Sequence, residues 1–154
     1  MKDNSIISAL KIISKMAKEK IIDKWAIGGS LAVMFYTEPF LTKDIDIFVD
    51  IHISSSGIID LSRIFKWLKE KGYTKFEEQS VIIEGVRVDF IPVFGLTAEA
   101  VRYAKVKKID NVHVRVISPE YLIAIALSVG RRQDHYKIEK LINQSSLKNI
   151  VLED

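Results

Sequence analysis

Two stretches, Ala26-Ile27-Gly28-Gly29-Ser30 and Thr42-Lys43-Asp44-Ile45-Asp46-Ile47-Phe48-Val49, decide how this chain is read. The paired glycines let backbone approach a charged ligand closely, because no Cβ stands in the way. Ser30 is a good N-cap, so Leu31 to Tyr36 is expected to start as a helix whose free N–H groups point back at the loop. Such a helix end attracts phosphate. Asp44 and Asp46 alternate with Ile45, Ile47 and Val49. In a strand, residues two apart share a face, so both carboxylates point one way and the aliphatics point into a core. A phosphate cradle followed by paired carboxylates suits Mg²⁺ and a nucleotide, since hard oxygen ligands and substrate phosphates share that ion.

These stretches resemble the nucleotidyltransferase superfamily that includes DNA polymerase β. The pattern is a Gly-Gly/Ser turn, a spacer, then Asp-x-Asp with apolar neighbours. The chain looks most like the minimal bacterial and archaeal members, among them the AbiEii-type toxins of toxin–antitoxin systems. Such enzymes have a third carboxylate on a later strand, and Val86-Arg87-Val88-Asp89-Phe90-Ile91-Pro92 is similar to that strand. The resemblance implies an α/β (α+β) fold with a small mixed sheet flanked by helices. It covers residues 20–95, the expected core, and reaches on to Ser118-Pro119-Glu120 and the helix from Arg131.

The 154 residues predict one domain spanning 1–154, with a C-terminal hairpin and helices over 105–154. Hydrophobic residues make up 48% and charged residues 28%, a balance that argues against disorder. Cysteine is absent, which excludes disulfides, thiolate metal sites and a thiol nucleophile, and fits a cytoplasmic protein. No apolar run is long enough to span a membrane. A net charge of +3 permits an anionic substrate without indicating nucleic acid.

Outward from the two stretches, Ser5 to Lys20 reads as a helix capped by Ser5. Its stripe of Ile6, Ile7, Leu10, Ile13 and Met16 faces inward, with Lys11, Lys15 and Lys18 on a solvated face. Lys24 to Ile27 is a strand delivering the glycines, and Glu38-Pro39 ends the helix after them. Thr42 to Ile51 is the acidic strand, with Asp50 exposed near a loop. Ile58 to Lys71 is an amphipathic crossover helix stopped by Gly72. Tyr73 to Glu78, Ser80 to Glu84 and Val86 to Val93 are strands, the last two joined at Gly85. Arg87, Asp89 and Ile91 share one face of the last. Asp89 is expected either to pair with Arg87 or a lysine, or to share a metal with Asp44 and Asp46. Thr97 caps a short helix. Lys105 to Ile109 and Val112 to Ile117 form a hairpin turning at Asp110-Asn111. Ser118-Pro119-Glu120 opens a helix whose apolar body, Tyr121 to Val129, is expected to be buried. His52, His113 and His135 lack metal-ligand spacing.

By resemblance, Asp44 and Asp46 would bridge two Mg²⁺ ions. Asp89 would hold the ion that activates an acceptor hydroxyl. Gly29 and Ser30 would bind NTP phosphates, with Gly28 permitting the turn. AbiEii-like relatives often carry a Lys near the position of Ala126, and Tyr121 to Val129 has none, so Arg131, Arg132 or Lys43 would neutralise the triphosphate; the alternative for the Arg pair is a helix-end ion pair with Asp134 or Glu139. The implied reaction moves an NMP from an NTP to a tRNA 3′ end, a protein side chain or a small molecule. An antitoxin-type partner or a second copy would complete the site. The competing reading is a non-catalytic nucleotide-binding module on the same fold.

Overall fold

A computed structural model describes residues 4–37, 42–51, 61–130 and 132–143. The elements are α1 (Asn4–Lys18), β1 (Trp25–Gly28), α2 (Gly29–Met34), β2 (Asp44–Val49), α3 (Ser62–Glu70), β3 (Phe76–Glu77), β4 (Ser80–Ile83), β5 (Val86–Pro92), α4 (Leu96–Arg102), β6 (Lys105–Ile109), β7 (Val112–Val116), α5 (Pro119–Val129) and α6 (Arg132–Ile142). All the strands join one mixed sheet of order β3-β4-β5-β2-β1-β7-β6. β2 pairs with β5 in parallel, and the connection between them carries α3, as a parallel pair requires.

Side-chain alternation sets the two faces of this sheet. Ile45, Ile47, Val88, Phe90, Val114 and Val116 are all buried. Register puts them on one face together with Ile27. Phe65 of α3 meets Phe90 edge-on at 6.3 Å, so α3 covers that face. The indole N–H of Trp67 donates to Glu19 Oε1 at 3.0 Å, tying α3 to the end of α1. The opposite face carries Asp44, Asp46, Arg87 and Asp89. Arg115, also on it by register, donates to the Trp25 carbonyl at 2.9 Å and the Val101 carbonyl at 2.8 Å, holding α4 there.

Two of the three tight hairpins among the described residues, β4–β5 and β6–β7, turn as their sequences require. Glu84 and Gly85, and Asp110 and Asn111, all have positive φ, the backbone state a two-residue type I′ turn needs. α5 has Pro119 at its first turn after Ser118, and ends on left-handed Gly130, whose N–H donates to the Ala126 carbonyl.

Several local expectations change. α1 starts at Asn4, so Ser5 lies inside the first turn rather than ahead of it. α4 is preceded by Gly95, not Thr97; the Thr97 hydroxyl instead bonds back to Phe94, accepting its N–H at 3.1 Å. The α5 body is not wholly buried: Leu127 is 63% and Val129 51% exposed. One helix face is enough to seat α5 on α2 and α4, so uniform apolarity did not decide burial. Pro39, His52 and the start expected for α3 at Ile58 lie outside the described residues.

Tyr36, just past α2, has a buried hydroxyl without a hydrogen-bond partner among the described residues. Burial, and then the charge of Glu120, push it up to about 12. A buried hydroxyl lacking a partner costs stability. Tyr36→Phe is therefore expected to raise stability at pH 7 by about 1 kcal/mol in urea unfolding. The folded pKa is raised, so the neutral hydroxyl is favoured in the fold. Its contribution is complete below pH 10 and lost as pH rises toward 12. The Phe variant should show a shallower loss over that window. Some loss should persist, because burial and the bond to Glu84 also raise Tyr73 to about 12.

Candidate functional site

The sheet register brings the expected site residues into one transverse row. Gly28 pairs with Asp46, Asp46 with Asp89, Asp89 with Ser80, and Ser80 with Glu77. Directly paired residues point to the same face, so this row crosses five strands on one side of the sheet. A second row beside it pairs Asp44 with Arg87 and Arg87 with Ile82. Residues 44, 46 and 89 therefore share a face: strand alternation predicted it for 44 and 46, and register adds 89.

Gly29 fixes how the loop meets the acidic strand. Its φ is +60°, and a Cβ built there would collide with the Asp46 carboxylate. The missing side chain is what lets the glycine loop and that carboxylate touch. Gly28 is extended, and a Cβ on it would meet the Phe48 ring at 3.1 Å. α2 begins at Gly29 itself, with Gly28 at the N-cap position and no side-chain cap. Ser30 is thus in the first turn and not the cap, which corrects the sequence expectation. Two glycines opened the helix two residues early, and the Ser30 hydroxyl is not spent on capping.

Asp89 is held on one side. Ser80, only 3% exposed, hydrogen-bonds its Oδ1, and Arg87 Nε donates to the same oxygen at 3.2 Å. Oδ2 has no partner among the described residues. Arg87 also reaches Glu77 at 3.7 Å. The Asp89 hydrogen bond, then the Asp89 charge, hold the guanidinium above its usual pKa, with Glu77 and Asp44 adding. The two expectations for Asp89 are thus combined: it pairs with Arg87 and also stands beside Asp46.

The donor set is hard oxygen, suited to Mg²⁺. Among the described residues no three His, Asp or Glu side chains converge as a ready ligand shell. Arg87 supplies the local positive charge instead. Side-by-side carboxylates in a sheet repel, and a cation relieves that. The row, the Gly29 cradle and the partnerless Oδ2 fit a divalent ion once Asp89 is freed from the guanidinium. Arg87→Gln is accordingly expected to tighten Mn²⁺ binding several-fold, read by the electron paramagnetic resonance signal of free Mn²⁺.

Lys43 is exposed immediately before β2, at the end of the sheet where Gly28 lies, and has no ion pair among the described residues. Arg131 lies outside the described residues. His113 and His135 are exposed. Ala126, where AbiEii-like relatives often have a Lys, is buried. Sequence reasoning missed Ser80 and Glu77. Ser80, flanked by Gln79 and Val81, and Glu77 both lacked a signal before register was known.

A seven-stranded mixed sheet with helices on both faces, a glycine turn against Asp-x-Asp and a third Asp on the next strand together define a nucleotidyltransferase fold. The chain belongs to the family described as nucleotidyl transferase of unknown function (DUF2204), whose model matches residues 6–154. It is an enzyme of the nucleotidyltransferase class. That description is broader than the AbiEii-type toxins.

Solved structures share the fold. A Thermotoga maritima protein described as a nucleotidyltransferase aligns with TM-score 0.61 and 20% identity, over 94% of this chain and 96% of that one. An antigenic nucleotidyltransferase-like protein from Paracoccidioides brasiliensis aligns with TM-score 0.59 and 17% identity, over 97% and 87%. The lincosamide antibiotic adenylyltransferase LnuA, solved with lincomycin bound, aligns with TM-score 0.58 and 13% identity, over 93% and 98%. No curated protein matches the chain. No helix among the described residues is long and apolar enough to cross a membrane.

Proposed function

We propose that this chain transfers an NMP from an NTP to a hydroxyl acceptor in a Mg²⁺-dependent reaction, at the row formed by Gly28, Asp46 and Asp89. The observation that carries this reading is the close approach of Gly29 to the Asp46 carboxylate, with Asp89 next in register. Phosphate held at the glycine loop would then lie against the acidic residues.

In this reading Asp44, Asp46 and Asp89 hold the metal, two ions in the full complex. Bound Mg²⁺ supplies charge neutralisation and acidifies the acceptor hydroxyl. Gly29 and Ser30 bind the β- and γ-phosphates through N–H groups and the Ser30 hydroxyl. Gly28 permits the turn, and the exposed Lys43 offsets triphosphate charge. The acceptor oxygen attacks the α-phosphorus and forms a new O–P bond. The bond from that phosphorus to the bridging oxygen breaks, and pyrophosphate leaves with the electron pair. Asp89 Oδ2, partnerless among the described residues, takes the acceptor proton. Catalysis by these residues is positioning and electrostatic stabilisation.

The test incubates the protein with each NTP, labelled at the α-phosphate, in Mg²⁺ with tRNA or cell lysate. Label transfer that vanishes in Asp46→Ala is the expected result. Absence of transfer from all four nucleotides would favour the non-catalytic module.

A further inference from the structure

Lysines of α1 and of β6 meet at the β6–β7 turn and form one band of surface. Lys11, Lys15 and Lys18 are exposed, and helical spacing puts them on one side of α1. With Ser14, Asn111 and His113 they line an open groove of about 560 Å³ between α1 and the turn. Ligand clefts commonly hold roughly 300–1,000 Å³. From the turn, β6 runs along the sheet edge and carries Lys108, Lys107 and Lys105. Lys105 pairs with Val116 and Val116 with Ile27, the residue before Gly28. The band therefore starts at the groove and ends level with the glycine turn. It runs about 14 Å along β6 and ~10 Å along α1. An aromatic ring stands at the end beside Lys105. Tyr103 is 59% exposed and stacks on Tyr121 at 6.1 Å with the planes 4° apart. We propose that this band is a binding track for a single-stranded nucleic acid, with its phosphates on the lysines and a base on Tyr103.

The fold leaves these charges unspent. Among the described residues none of these lysines is in an ion pair. Lys107 lies 5.1 Å from the centre of the Tyr36 ring, a contact that keeps its charge in place. Like charges four apart on a helix repel, as Lys11 and Lys15 do. The helix dipole favours Lys15 and Lys18 in the last turn but not Lys11. Lysines on an edge strand keep it from pairing with another chain, which accounts for β6 and does not reach α1. Two carboxylates border the band, and both are engaged. Glu19, which also lines the groove, accepts the Trp67 indole N–H, and Asp110 at the turn is already partnered. The lysines outnumber them, so the band stays positive.

Cations beside an exposed ring select the partner class. Single strands are held by a cationic groove that follows the backbone and by aromatic faces that stack bases. A carboxylate-rich peptide would use the lysines but gain nothing from Tyr103. A duplex keeps its bases stacked on one another and offers none to the ring. Tyr103 has one face against Tyr121, which leaves the other for a base. Neither the acidic row nor the glycine turn takes part, so the track stands or falls apart from the transfer reaction.

The experiment measures binding of fluorescein-labelled oligo(U) and oligo(dT), strands of about 12 nucleotides, to the full chain by fluorescence anisotropy. NTP is left out and EDTA is present, so the acidic row plays no part. A matched duplex is measured in parallel, and poly-glutamate is offered as competitor. The expected result is saturable binding of the single strands, with log Kd rising against log salt at a slope of about 3–4, since each phosphate contact contributes ~0.7. The triple variant Lys11→Gln/Lys15→Gln/Lys18→Gln should weaken binding roughly tenfold or more and lower the slope by about 2. Tyr103→Ala should weaken it roughly fivefold or more at unchanged slope, and Tyr103→Phe should retain it. Urea unfolding checks that the variants fold as the parent does. No binding of either strand at about 50 mM salt, or binding indifferent to the triple variant, overturns the track. Duplex bound as tightly as single strand, or poly-glutamate competing as well as unlabelled oligo(U), overturns the partner class. If Lys105→Gln/Lys108→Gln self-associates on gel filtration yet binds strands as the parent does, the β6 lysines only guard the edge and the path along β6 is overturned.

Discussion

Asp46→Asn is expected to lower NMP transfer by roughly 10³-fold while leaving the fold intact. Asp46 occupies the centre of the row: Gly28 flanks it on β1 and Asp89 on β5. It is also the carboxylate that the glycine loop touches. Asparagine keeps the shape but removes the charge that, in the proposed reaction, would balance a metal–triphosphate complex. Losing one preorganised electrostatic contact at a reacting phosphorus costs about 10²–10³ in rate, and a carboxylate that would be shared between two ions belongs at the upper end. Asp44→Asn should cost less, because Asp44 is more exposed and stands one row away. Stability should not collapse. Asp46 and Asp89 are neighbouring like charges, and neutralising one relieves repulsion. Steady-state label transfer and urea unfolding on the same preparations check both halves. Equal loss of activity and of cooperative unfolding would assign Asp46 a structural role.

Much of this fold was legible because strand periodicity is short and strict. Ile45, Ile47, Val88 and Phe90 are all completely buried, and alternation alone assigned them inward. The turn chemistry at Gly85, Asp110-Asn111 and Gly130 was equally local, since positive φ is written into those residue types. Helix starts were less legible. Ser5, Ser30 and Thr97 all suit a cap, yet each lies inside its helix. Glycine can occupy the N-cap position nearly as well, and at Gly28 and Gly95 it does. Burial of α5 was misread for a different reason. Leu127 and Val129 are exposed because seating the helix takes only Leu122, Ile123 and Ala126.

The carboxylates were legible as candidates, but not their partners. Spacing put Asp44 and Asp46 on one face. Only register between strands distant in sequence could set Asp89 beside Asp46 and Ser80 beside Asp89. Ser80 and Glu77 carry no motif, and their place follows from a hairpin whose alignment is fixed by pairing. The Arg87–Asp89 bond was anticipated as one of two alternatives. It is local, two residues apart on one strand, and so needed no tertiary information.

Gly29→Ala should inactivate the enzyme by a route different from loss of charge. Two costs fall on one methyl group. At φ +60° an L-residue is strained by about 1–2 kcal/mol. The new Cβ would also collide with the Asp46 carboxylate, so that side chain must rotate out of the row. The expected outcome is a loss of about 1–3 kcal/mol in urea unfolding and a fall in transfer at least as large as in Asp46→Asn. Gly72→Ala separates the two costs. Its φ is +97° and a Cβ there meets nothing within 4 Å, so it should destabilise through backbone strain and leave transfer unchanged. Gly28→Ala isolates crowding without strain. Its backbone is extended, and the Cβ would meet the edge of the Phe48 ring at 3.1 Å and Ile117 Cδ1 at 3.3 Å. Both are side-chain atoms that can yield by a few tenths of an ångström, so Gly28→Ala should retain more activity than Gly29→Ala. If all three variants lost transfer in proportion to stability, the glycine loop would matter only for folding. If Gly29→Ala alone lost Mn²⁺ binding and transfer together, the contact between residue 29 and Asp46 would be the element that joins phosphate to metal.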